Sequence, residues 1–178
     1  MKFFGPLPRI AALAGLLVAV PFAASVPAYA AAADVALIKS YVGSWKGRGQ
    51  LIGAETEFVV CRLSLNEGNN DKVNYSGRCS LAGTSLAVNG TIAYNDSTNR
   101  FEAAMTSNVT FSGLAIGKRQ GDGIVFNLKE KDKDDAGNDL TVNAAITLKG
   151  KGSAIQVDFD VVFNATGDTL KASVPFTK

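Results

Sequence analysis

The sequence predicts an all-β protein: an antiparallel up-and-down β-barrel of about 8 to 10 strands, preceded by one short helix and stapled by one disulfide. Three observations carry this. From Ser44 onward apolar residues recur at every second position, the period of a half-buried strand. The runs are separated by "NEGNND", "YNDSTN", "DKDDAGN", "KGKGS" and "NATGD", the composition of hairpin turns. No stretch between runs has the length and period of a crossover helix, so neighbouring strands are antiparallel. A barrel hides the sheet edges and covers the single apolar face; a two-sheet sandwich is the alternative that buries the same face.

Taken in order, residues 1–30 read as a signal peptide: Lys2 and Arg9 supply positive charge, "IAALAGLLVAVPFAA" an apolar run broken by Pro21, and "VPAYA" a small-residue cleavage site. The run is too short for a membrane span, which needs about 20 apolar residues, so no transmembrane segment is expected. The chain carries 18 Lys and Arg against 16 Asp and Glu, and losing Lys2 and Arg9 leaves a formally neutral remainder. A formally neutral remainder takes away the usual electrostatic footprint of a nucleic-acid partner, so none is expected. What remains is one domain, long enough to bury about 70 per cent of its extended-chain surface. The expected location is the periplasm or the exterior.

Residues 31–43 form the short N-terminal helix, with Asp34 as its N-cap and Val35, Ile38 and Val42 at helical spacing. The barrel domain is residues 44–178. Its clearest strand is 139–149, where Leu140, Val142, Ala144, Ile146 and Leu148 alternate with polar or small residues. The same alternation places Ile155, Val157, Phe159, Val161 and Phe163 on one face of a following strand, and Leu170, Ala172, Val174 and Phe176 on one face of the last.

Cys61 and Cys79 are the only cysteines. If 55–65 and 72–82 form a hairpin about "NEGNND", the register that faces Leu65 with Tyr75 also faces Cys61 with Cys79. Such a cross-strand pair lies within disulfide reach. In an exported chain a structural disulfide is expected, and the spacing is not that of a redox pair.

The chemistry points away from an enzyme. The chain has no histidine, which removes His-dependent triads and most zinc sites. Phosphate-cradling loops and nucleophile elbows are absent from the sequence. Of Glu55, Glu57, Glu67 and Glu102, the exception is Glu57, which shares the parity of Val59 and Cys61 and is turned by alternation toward the barrel. Asp132, Asp134 and Gly137 mimic part of a calcium loop, but Ala136 and Asn143 fall where ligands belong, so a solvated hairpin tip is expected and no metal or cofactor. The remaining site is the inner face. Trp45, Tyr75, Leu86, Phe101, Phe111, Phe126, Ile146 and Phe159 are expected to line it, either filling the barrel or walling a ligand cavity.

A short helix followed by "GSW" at the opening of the first strand resembles the calycin group: lipocalins, fatty-acid-binding proteins, avidins and small secreted inhibitors of bacterial metalloproteases. "VVCRLSL", "GRCSLAG" and "GSWKGRGQL" also resemble small exported bacterial proteins of unknown function. The resemblance implies a Trp45 that plugs the closed end, with a basic residue from near the last strand over its ring, for which Lys171 is the candidate. A lipocalin's T-D-Y motif does not occur. Two functions follow. One is an exported binding protein for an apolar small molecule or lipid-like ligand; the other is a protein-binding barrel of the cell envelope, such as a protease inhibitor.

Overall fold

A computed structural model of the chain describes residues 27–81, 83–108, 112–134 and 136–178, with side chains described from residue 31 onward. The N-terminal segment through residue 26 and Phe111 lie outside the described residues. The described residues form one helix, α1 (Pro27–Lys39), and ten strands: β1 (Gly43–Ile52), β2 (Thr56–Glu67), β3 (Val73–Leu81), β4 (Thr84–Asn95), β5 (Arg100–Ser107), β6 (Ser112–Gln120), β7 (Gly123–Lys133), β8 (Asp139–Lys149), β9 (Ala154–Phe163) and β10 (Thr169–Thr177). Each strand pairs antiparallel with the next, and β1 pairs with β10, closing the barrel. Closure decides against the sandwich, since every strand gains two partners and no edge is left.

Alternation is what sets the inner face. Leu140 to Leu148 on β8 and Ile155 to Val161 on β9 face each other pair by pair, Ala144 opposite Phe159 and Ile146 opposite Val157. A slip of one residue would turn both apolar rows to solvent, so the pattern pins the register. The turn at "NEGNND" closes with Asn70 and Asp71 both at positive φ, a conformation that short polar side chains tolerate. The expected hairpin register follows: Leu65 faces Tyr75, Cys61 faces Cys79, and the two cysteines are bonded with Cα atoms 4.0 Å apart.

The N-terminal helix departs from its expected bounds. It runs Pro27–Lys39, and the chain leaves it through a short turn at Ser40 to Val42 before Gly43 opens β1. Asp34 is therefore no cap. The alanine-rich stretch before it continues the helix, alanine being the best helix former, which carries Asp34 into the middle. There it is buried at 7% exposure and accepts a bond of 2.8 Å from the Arg119 guanidinium of β6. Lys39 reaches Asp71 in the β2–β3 turn at 2.7 Å. Fastened at both points, the helix lies across one end of the barrel and buries Leu37, Ile38 and Tyr41 against it.

Candidate functional site

The two ends of the barrel differ. At the helix end, Trp45, Leu65, Val73, Phe101, Ile124 and Ile155 are fully buried. At the other end, Leu81, Leu86, Met105, Leu140 and Leu170 stay partly exposed. One end is a floor and the other a mouth.

The floor is aromatic. Trp45 donates its indole N–H to the Tyr41 carbonyl at 2.9 Å, and the two rings stack at 6.5 Å. Lys178 Nζ sits 4.9 Å from the Trp45 ring centre, a cation over its face. The basic partner of the tryptophan is thus Lys178, beyond the last strand, and not Lys171, which alternation sends outward opposite Asp160. Phe101 makes edge contacts with Tyr94 at 5.1 Å and with Phe126 at 6.4 Å. Gly47 and Gly117 make room for this floor: a Cβ at Gly47 would meet the Phe176 ring at 2.8 Å, and one at Gly117 the Phe126 ring at 2.5 Å.

Above the floor the barrel is not filled. A cavity of about 410 Å³ occupies it, walled by aliphatic and aromatic side chains of β2–β5 and β7–β10, with the Cys61–Cys79 disulfide part of the wall. Of the residues expected to line the inner face, Tyr75, Leu86, Phe126, Ile146 and Phe159 stand on this wall. Trp45 and Phe101 do not. They lie in the floor beneath it, Trp45 because the helix comes down on it and Phe101 because Gly117 lets it sink between Tyr94 and Phe126. Met105, Val142 and Val174 also stand on the wall, beyond the residues singled out as lining it. Alternation already marked Val142 and Val174 as inward; their smaller side chains hid how much space they leave.

Polar groups on the wall are few. The Tyr75 hydroxyl crosses β4 at Gly90 and donates to the Ala104 carbonyl at 3.0 Å, a path that exists because a Cβ at Gly90 would stand 2.4 Å from that hydroxyl. Burial pushes the Tyr75 pKa up to about 12. At the mouth, Asp132 and Lys133 from the β7–β8 hairpin border the opening, with Lys133 paired to Asp139 at 2.6 Å. Glu57 faces Leu51 across β1 but stands exposed at the rim, away from the cavity wall. Asp134 accepts bonds from the backbone N–H groups of Ala136 and Asn138, so it organises its own hairpin tip. Among the described residues Asp132 is the one carboxylate on this wall, and the lining is otherwise almost wholly apolar.

No protein-family model matches the chain, and no curated protein sequence matches it. Among solved structures it is similar to Rv2717c from M. tuberculosis, with a TM-score of 0.61 and 11% identity over 80% of this chain and 96% of that one. It is also similar to the S-type phycobiliprotein lyase CPES from Guillardia theta, with a TM-score of 0.49 and 11% identity over 79% of this chain and 89% of that one. At such identity the likeness is one of fold. The closed antiparallel barrel, the helix across its floor and the likeness to Rv2717c together make this a calycin-like β-barrel.

Proposed function

We propose that the protein is an exported, non-enzymatic binding protein that holds an apolar small molecule or lipid-like ligand in its barrel. The cavity of about 410 Å³ carries this reading. Protein interiors pack to crystal density with few voids larger than a water, whereas small-molecule sites run from about 300 to 1,000 Å³ and are walled mostly by apolar groups. An apolar void of about 150 Å³ already takes a benzene. Tyr75, Leu86, Phe126, Ile146 and Phe159 contact the apolar body in this reading, and the charged rim at Asp132 and Lys133 suits a ligand with one polar end. The disulfide fits an oxidising compartment, and residues 1–30 act as the export signal.

The alternative, an envelope protease inhibitor, is less well supported. An inhibitor of that kind needs a filled core and a projecting N-terminal segment, whereas residues 34–41 are packed on the floor. Native mass spectrometry of the protein purified from its host, followed by solvent extraction, tests the carrier reading. A bound apolar species of a few hundred daltons is the expected result. Bare chain mass, together with no uptake of the fluorescent probe N-phenyl-1-naphthylamine, sinks it.

A further inference from the structure

The outer surface of β1, β2 and β3 is cationic. Alternation sends Lys46, Arg48, Arg62 and Arg78 outward on β1, β2 and β3. No acidic side chain shares that face: the acids of these strands, Glu57 and Glu67, have the opposite parity and sit at the two ends of β2. Outward acids stand on other strands, Glu102 on β5 and Asp158 and Asp160 on β9. The register sharpens the asymmetry, because Lys46 stands opposite Arg62 and Arg62 opposite Arg78, three cations abreast on three neighbouring strands. Like charges directly opposite one another destabilise a sheet. None of these four cations belongs to an ion pair among the described residues. Ser44, Ser64 and Ser76 form the adjoining row, and the two rows border a shallow concavity.

Toward the mouth the same face turns apolar. Phe58 is 81% exposed, Ile52 52% and Val60 48%, three of the four large apolar side chains left exposed among the described residues. Val60 lies opposite Arg48, and Phe58 opposite Gln50, so the apolar and cationic groups form one continuous surface.

We propose that this face docks on an anionic lipid surface. The cationic row and its serine hydroxyls engage headgroup phosphate oxygens, while Phe58 and Ile52 enter the boundary between headgroups and acyl chains. A second copy of the chain is a poorer occupant, because a two-fold contact presses the cationic row against itself. Ile52 and Phe58 flank the end where the cavity opens, so docking brings the mouth to the membrane. The docking itself does not rest on the cavity holding a ligand.

Flotation of the purified protein with vesicles of phosphatidylglycerol or of phosphatidylcholine, at low and at high salt, is the test. Binding to phosphatidylglycerol alone, weakened by salt, is expected. Arg62→Gln and Arg78→Gln each lower the partition coefficient about five-fold. Phe58→Ser lowers it while leaving the salt dependence in place, and unchanged near-ultraviolet circular dichroism and Tm show that the variants fold. Equal flotation of wild type and variants overturns the proposal, because the binding then belongs to another part of the chain. So does indifference to headgroup charge, or a dimer in lipid-free solution that Phe58→Ser dissolves.

Discussion

Trp45 and Tyr75 show how single residues divide the labour. Trp45 is held by its bond to the Tyr41 carbonyl and by Lys178 above the ring, so it serves the floor and not the cavity wall. Replacing it with alanine removes a fully buried aromatic against a helix that cannot follow inward. The expected loss is about 3 to 5 kcal/mol, read from urea unfolding. Tyr75 brings a phenol to the wall, and its neutral form is favoured by burial, with a pKa of about 12 against the ordinary 10. A phenol whose folded pKa is raised contributes stability that is intact below pH 10 and is lost as pH climbs through 12. Tyr75→Phe should therefore outlast the wild type in alkali, losing about 1.4 kcal/mol less between pH 9 and pH 11. Equal alkaline loss in the two proteins would place the titrating group elsewhere.

At the scale of elements, the β2–β3 hairpin and α1 are the two fastened parts. The Cys61–Cys79 bond closes a loop with a sequence separation of 18, which in the chain-entropy model stabilises the fold by about 3 kcal/mol. Cys61→Ala with Cys79→Ala should lower stability by about that amount and leave the register intact, because the Leu65 and Tyr75 pairing and the Asn70–Asp71 turn specify it as well. Chemical denaturation with and without reductant measures this. The hairpin was legible because two independent signals, cysteine parity and turn composition, agreed on one register. The helix was legible in kind but not in extent. Its start carries no cap that sequence distinguishes from an alanine-rich interior, and Asp34, which looks like a cap, is the partner of Arg119 in a strand 85 residues away.

For the whole molecule, the contrast between a packed floor and an open upper barrel is what creates a site. Ala144→Phe places a ring on the cavity wall opposite Phe159 and Leu128. It should weaken probe or ligand binding at least ten-fold while leaving Tm unchanged or raised, since it fills space that no side chain occupies. A fall in Tm with binding unchanged would mean that the upper barrel closes around its own side chains.

The sequence by itself determined the all-β class, the succession of antiparallel strands, the register of the β2–β3 hairpin and the cysteine pairing, because each follows from period 2, turn chemistry and parity, which are local properties of the chain. Tertiary structure decided the rest. Which inward rings fill the barrel and which border a void depends on where the floor forms, and that depends on glycines opposite aromatics and on a helix docked from outside the sheet. That Lys178 and not Lys171 covers Trp45, and that Lys46, Arg62 and Arg78 stand abreast, follows from how strands far apart in sequence meet when the barrel closes. Alternation places a side chain on a face; only closure gives it neighbours.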